Sequence, residues 1–368
     1  MEVSRIELID FRIFEAASAG LDSGFNLIVG RNGQGKTSLL EAVYCLSALG
    51  SHRAPTAGSM IRHGQDRAVI RAKATSSGSN MEVDAEVVRG GGVRVWVNKQ
   101  RVGRGGRDRT VAAILFSPED LDLIKGGPEL RRRFLDQAAV RVRPVVVTDR
   151  QEFEKALRQR NGVLKAAKKN PRALKQLEVW TEQLASAGAA VVANRLQALA
   201  QLVSPIRRRY RELAAADPPQ LEYQASWTDD SPPTDRERIA AMLLERMAST
   251  QGRDLEAAGT LTGPHRDDLL IELAGSGARL YASQGEQRSL ALSLRLAERD
   301  VAADVHGEEP ILLLDDVFSE LDQHRRNRLG ELVSTSGQTI ATATSAESLP
   351  VKGRRTLVVE QGRLSEVG

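Results

Sequence analysis

The sequence predicts an α/β fold, with one domain assembled from both chain ends and a mainly α-helical domain inserted between them. Three observations carry this. Short apolar or alternating runs, read as strands, occupy residues 3–116 and return from residue 269 onwards. Residues 128–215 are instead rich in Arg, Leu, Ala, Gln and Lys at helical periods. Charge divides the chain the same way: residues 125–215 hold 20 Lys and Arg against 8 Asp and Glu, while the net charge of the whole is only +4. A basic middle in an acidic remainder suggests a module that meets phosphate. A solvated Arg-rich helix face would have the same composition.

At 368 residues the chain has room for two or three domains. Aromatic residues are only 4% of it, so the core must rest on Leu, Val, Ile and Ala. Cys45 is the one cysteine, which excludes a disulfide framework and a cysteine metal site. It lies in an apolar run and reads as core. No apolar leader opens the sequence and no run approaches the length of a membrane span, so the expected compartment is the cytoplasm.

Residues 3–9 alternate as a strand, and residues 25–29 form a buried strand that runs into a glycine-rich loop. Residues 37–49 follow with helical spacing. Residues 81–88 and 93–97 read as two strands joined by a glycine turn, and residues 111–116 as another strand. Residues 75–80 look like a hairpin tip. The helical middle is expected to break at Pro144, at Asn170-Pro171 and at Ser204-Pro205. A strand at 221–227 and a helix at 234–250 come next. Strand texture at 269–273, a helix at 286–300, and strands at 311–314, 338–343 and 355–359 complete the chain. The expected domains are 1–125 with 256–368, and the inserted arm 126–255.

The loop is Gly30-Arg31-Asn32-Gly33-Gln34-Gly35-Lys36-Thr37. Glycines let the backbone curl so that successive N–H groups face one phosphate, and the helix beginning there adds its positive end. Lys36 would reach the β- and γ-phosphates of ATP, and the Thr37 hydroxyl would bind Mg²⁺. The run Ile311-Leu312-Leu313-Leu314-Asp315-Asp316 puts two carboxylates at the end of an aliphatic strand, the edge where α/β sheets hold ligands. Asp315 suits the metal; Asp316 would position the attacking water. Ser283-Gln284-Gly285-Glu286-Gln287 opens an amphipathic helix, as an anion site or as a plain helix cap.

In this order, and with Ser319-Glu320-Leu321-Asp322 after the acids, the motifs resemble the ATP-binding-cassette (ABC) ATPases. Phe11-Arg12 and the loop narrow the likeness to the DNA-acting branch that includes the SMC ATPases. Phe116-Ser117-Pro118-Glu119-Asp120-Leu121, Arg131-Arg132-Arg133-Phe134-Leu135-Asp136 and Thr262-Gly263-Pro264-His265-Arg266-Asp267-Asp268 resemble the RecF family of bacterial recombinational repair. The resemblance implies an ABC-type ATPase head that dimerises head to tail around ATP and hydrolyses it slowly. Lys36, Thr37 and Arg12 would hold the nucleotide in one subunit. Ser283 and Gly285 of the other would close on its γ-phosphate, with Asp322 facing the same interface. It also implies sequence-independent DNA binding at gaps, work with RecR and RecO, RecA loading, and a part in replication restart. Candidate DNA contacts are Arg131, Arg132, Arg133, Lys168, Lys169, Arg207, Arg208 and Arg209, with at least one of the first three expected to be structural. The wider cassette pattern is not kept throughout. Asp316 stands where a glutamate is usual, no clear glutamine stands for the Q-loop, no long coiled coil joins the halves, and no switch histidine follows the strand 338–343, so a γ-phosphate sensor is expected at 342–344. A transporter-type ATPase subunit fits less well, given the short insert and the Arg-rich middle.

Overall fold

Parallel strands buried on both faces should be continuously aliphatic, and antiparallel strands with one wet face should alternate. Both kinds occur. The computed structural model describes residues 1–53, 56–103, 110–346 and 349–367. Its strands are β1 (Glu2–Phe11), β2 (Phe14–Gly20), β3 (Phe25–Val29), β4 (Arg67–Ser76), β5 (Ser79–Val88), β6 (Gly92–Val97), β7 (Gln100–Val102) and β8 (Ala113–Phe116). They continue with β9 (Gln220–Gln224), β10 (Asp268–Leu273), β11 (Ser276–Gly277), β12 (Ile311–Leu314), β13 (Thr339–Ala343), β14 (Arg355–Glu360) and β15 (Arg363–Val367).

The chain divides into two compact units. The first holds Met1–Asp120, Arg209–Ala215 and Arg288–Gly368; the second holds Leu121–Arg208 and Ala216–Gln287. Two sheets build the first unit. One is antiparallel, in the order β2-β1-β4-β5-β6-β7. The other has the order β15-β14-β3-β13-β12-β8, and β14, β3, β13, β12 and β8 run parallel. Every residue of β8, β12 and β13 is buried. The helix Lys36–Ala48 contributes Leu39, Leu40, Val43, Cys45 and Leu46 to a core shared with both sheets. Full burial of each leucine there stabilises by about 1.5–3 kcal/mol. Cys45 is 0% exposed, and burial pushes its thiol up to about 12.

The second unit is mainly helical, with helices Pro128–Val142, Val147–Ala167 and Arg236–Ser249 and a three-stranded sheet β11-β10-β9. Its interior is pinned by charge. Arg160 and Asp254, both 0% exposed, pair at 2.8 Å. Arg195 is held by Asp136 at 2.6 Å and donates to the Pro264 carbonyl.

One expected break is absent. Pro144 and Asn170-Pro171 do end helices, but the helix Leu177–Ala214 runs straight through Pro205. Proline removes one N–H, so the carbonyl of Gln201 loses its helical donor. Gln201 is exposed and water can serve it, while Leu202, Ile206 and Tyr210 are buried and hold the helix together. Among the described residues no helix is long and apolar enough to cross a membrane.

Candidate nucleotide-binding site

The loop lies between β3 and the helix Lys36–Ala48. Its glycines are required by geometry. A Cβ on Gly30 would stand 2.4 Å from the Val359 carbonyl oxygen of neighbouring β14. Gly35, at φ 109, adopts a conformation that side chains disfavour, and it supplies no side-chain acceptor to the helix it caps. The first-turn N–H groups therefore suit an anion. Lys36 is 7% exposed, and its Nζ donates to the carbonyls of Gly30 at 2.6 Å and Arg31 at 3.2 Å, which stretches the amine across the loop.

The acids at the end of β12 meet this loop. Thr37 Oγ1 donates to Asp315 Oδ1 at 2.9 Å, and Thr342 Oγ1 from β13 donates to the same oxygen at 2.8 Å. Burial pushes the Asp315 carboxyl above its ordinary range, and the bonds from Thr342 and Thr37 draw it partly back. Asp316 has a left-handed backbone, φ 52, and its N–H donates to Thr342 Oγ1 at 2.8 Å. Its Oδ1 is buried without a hydrogen-bond partner. That orphaned acceptor is costly unless something donates to it. Thr342 thus bridges the two acids, while Thr344, beyond the end of β13, is exposed.

Glu41 is the residue that sequence reasoning missed. It lies one helical turn after Thr37, and its side chain is 0% exposed. Arg12 grips it with Nε at 2.7 Å and NH2 at 2.6 Å, Arg53 NH2 donates at 2.9 Å, and the Ser51 hydroxyl also donates. Arg12 NH1 donates to the Ser59 carbonyl at 2.6 Å. A lone acid inside the apolar run Leu39-Leu40-Glu41-Ala42-Val43 was the available signal, since a buried charge needs partners.

Burial alone would raise the Glu41 pKa, but the bonds from Arg12, Ser51 and Arg53 outweigh it and hold the carboxyl at about 2, against an ordinary 4.5. A lowered folded value means stability that is full above the ordinary pKa and lost as pH falls through the folded one. Glu41→Gln should cost about 3 kcal/mol at neutral pH. It should also flatten the acid limb of stability between pH 4.5 and about 2. Denaturant titrations across that range check it, and an unchanged acid limb would show that the arginines do not stabilise the ionised carboxylate.

Ser283 and Gly285 belong to the second unit, and the loop, the two acids and Asp322 to the first. Ser283 accepts from the Glu286 N–H at 3.3 Å while its own N–H donates to Glu286 Oε2 at 2.7 Å, a reciprocal cap at the start of the helix Gln284–His306. The cap reading of that motif is therefore realised, with Ser283 still exposed. Asp322 caps the helix Gln323–Thr335, and the Arg325 N–H and guanidinium hold its carboxyl below the ordinary range.

The expected DNA contacts separate. Arg131 is corrected to a structural role: it is 6% exposed and grips Asp268 with Nε at 2.7 Å and NH2 at 2.8 Å. Arg209 is likewise taken up by Asp300, at 2.8 and 2.6 Å. Arg132 is half-buried and donates to the Asp267 carbonyl. Arg133, Lys168, Lys169, Arg207 and Arg208 are exposed.

The RecF/RecN/SMC N terminal domain family matches residues 2–362. DNA replication and repair protein RecF of Beutenbergia cavernae is 40% identical over 378 residues, 95% of each chain. That of Acidothermus cellulolyticus is 40% identical over 367 residues, 98% of each. The structure of the recombination mediator protein RecF-ATPrS in the RecFOR pathway has a TM-score of 0.91 at 28% identity, covering 100% of this chain and 98% of that one. The Smc head domain of Pyrococcus furiosus has a TM-score of 0.56 at 15% identity, covering 99% of this chain and 95% of that one, and shares the fold. Fold and site together define an ABC-type ATPase head. Within that class, the chain belongs to the RecF family.

Proposed function

We propose that the chain is an ATP-gated DNA-binding protein of recombinational repair and replication restart. ATP binding drives a head-to-tail dimer, and slow hydrolysis releases it. The observation that carries this is the convergence of Lys36, Thr37, Asp315 and Asp316, with its orphaned Oδ1, at the end of one parallel sheet. The relatives support it, being DNA replication and repair proteins, and so does the solved RecF-ATPrS structure.

The residues fit ATP and Mg²⁺. The loop glycines and Lys36 would hold the phosphates, with Arg12 beside them. Thr37 and Asp315 would hold Mg²⁺, which neutralises charge on the β- and γ-phosphates. Two oxygen ligands are few, but Mg²⁺ normally completes its shell with phosphate and water oxygens. Asp316 orients the attacking water, and Thr342 keeps both carboxylates in register. Ser283, Gly285 and Asp322 close the site from a second copy. As functional domains, 1–125 with 256–368 form the ATPase head and 126–255 the arm, although residues 256–287 fall in the second compact unit and Arg209–Ala215 in the first. The exposed Lys168, Lys169, Arg207 and Arg208, with Arg132, neutralise DNA phosphates without reading sequence. The dimer binds at gaps in the cytoplasm and works with RecR and RecO to load RecA.

Light scattering with ATP and Mg²⁺, with and without duplex DNA, tests this. The expected result is a monomer that becomes a dimer with ATP and then binds DNA more tightly. Ser283→Arg should still bind ATP but remain monomeric. Absence of a dimer, together with DNA binding indifferent to ATP, would sink the reading. A normal Ser283→Arg dimer would remove the composite site.

A further inference from the structure

The buried arginines of the helical unit answer to acids. Arg131 is held by Asp268, Arg160 by Asp254 and Arg195 by Asp136. Arg132 and Arg266 differ, although an acid stands beside them. Arg266 is the exposed residue of the segment 262–268, whose other members are buried or half-buried. Asp267, next in sequence, is 1% exposed, and its carboxylate takes neutral donors: the Tyr223 hydroxyl at 2.7 Å, the Ser226 N–H at 2.8 Å and Trp227 Nε1 at 3.2 Å. Arg132 reaches only the Asp267 carbonyl, through NH1 at 2.6 Å. The acid is thus held apart from both cations, and neither pairs with a carboxylate among the described residues.

The backbone that carries Arg266 is fixed on both sides. The Arg266 N–H donates to the Gly263 carbonyl at 2.8 Å, and Gly263 has φ 128, where a side chain would be strained. His265 Nε2 lies 3.0 Å from the Thr260 carbonyl oxygen, and its ring packs on Phe153 with centroids 6.1 Å apart. Burial lowers the His265 pKa, and Arg266 and Arg132 both lower it further, so the two guanidinium charges act on one ring. Burial and the neighbouring Arg195 also pull the Arg132 pKa below its ordinary value. A half-desolvated cation without a counterion is costly unless an anion arrives.

The geometry points to a phosphate clamp formed by Arg132 and Arg266, closing on a phosphodiester group of DNA. It rests on the DNA-binding reading above and adds a residue and a scaffold which that reading lacks. Each guanidinium offers a planar fork of donors, and a phosphodiester has two free oxygens, one for each fork. A polyanion is favoured over a small anion because residues 125–215 hold 20 Lys and Arg against 8 Asp and Glu. Arg266 stands on a backbone that is already ordered, so gripping the phosphate costs less freedom than it would on a mobile loop. The clamp holds the backbone and reads no sequence.

Fluorescence anisotropy with a labelled duplex oligonucleotide, ATP and Mg²⁺, over a series of salt concentrations, tests this. Arg266→Gln should weaken DNA binding about tenfold and reduce the slope of log affinity against log salt by about one. Arg266→Lys keeps the charge without the fork, so it should keep the slope and bind with intermediate affinity. Arg236→Gln removes the same charge from an exposed arginine of the same unit and should change affinity by less than about twofold. Equal losses in Arg266→Gln and Arg236→Gln would reduce the clamp to general charge and overturn it. Unchanged affinity and slope in Arg266→Gln would overturn it as well. The double variant Arg132→Gln/Arg266→Gln should lose less than the product of the two single losses, because both side chains hold one group. A full product would put the arginines on separate phosphates and end the clamp. A wild type that binds no DNA at any salt concentration would instead sink the DNA-binding reading itself.

Discussion

Lys36→Met is expected to abolish ATP binding, with an affinity loss of at least about 100-fold. The side chain is 7% exposed, and its amine already spans the loop between the Gly30 and Arg31 carbonyls. Two or more charge-assisted bonds to phosphate, at about 1.5–3 kcal/mol each, would be lost together. Methionine keeps the aliphatic stem, so the packing at the start of the helix Lys36–Ala48 survives. The glycines of the loop are unaffected. The defect should therefore be confined to ligand: circular dichroism and denaturant midpoint close to the wild type, calorimetric heat with ATP absent. The proposed ATP-induced dimer should then not form. Near-normal ATP affinity in a folded Lys36→Met protein would place the nucleotide elsewhere.

The loop and the acidic strand were legible because their chemistry is local. Eight consecutive residues carry the phosphate cradle, and six carry the buried strand with its two acids. What was not legible depends on chain segments far apart. Arg131 reads as a DNA contact by composition, yet it answers to Asp268, 137 residues away. Arg12 reads as a phosphate ligand, and the partner that fixes it, Glu41, sits within a stretch that spacing assigns to the core. Strand β2, Phe14–Gly20, contains no β-branched residue, so its conformation comes from pairing with β1 and not from propensity. Pro205 shows the same limit from the other side. A local breaker is overridden where Leu202, Ile206 and Tyr210 are held by burial.

Asp316→Asn should leave ATP binding intact and slow hydrolysis by about 100-fold or more. The backbone at this position is already committed. Its left-handed φ of 52 is one that asparagine tolerates as well as aspartate. The N–H is held by Thr342, and the carbonyl accepts from the Ser319 hydroxyl at 2.8 Å. The substitution therefore leaves the backbone held and removes the charge of a carboxylate whose buried Oδ1 has no protein donor. A carboxylate there can accept from a water and draw charge towards it; an amide carries no charge and can present its NH2 instead. Asp315 answers a different need, since Thr37 and Thr342 already occupy its Oδ1 and its position beside Thr37 suits the metal. The two adjacent acids should thus be separable by experiment. With Asp316→Asn, single-turnover assays should show slow phosphate release, and the ATP dimer should persist far longer than the wild-type one. Ordinary turnover in that variant would remove Asp316 from the reaction and leave its strained backbone and orphaned oxygen without a function. A lost dimer with intact ATP binding would assign it instead to the closure of the two copies.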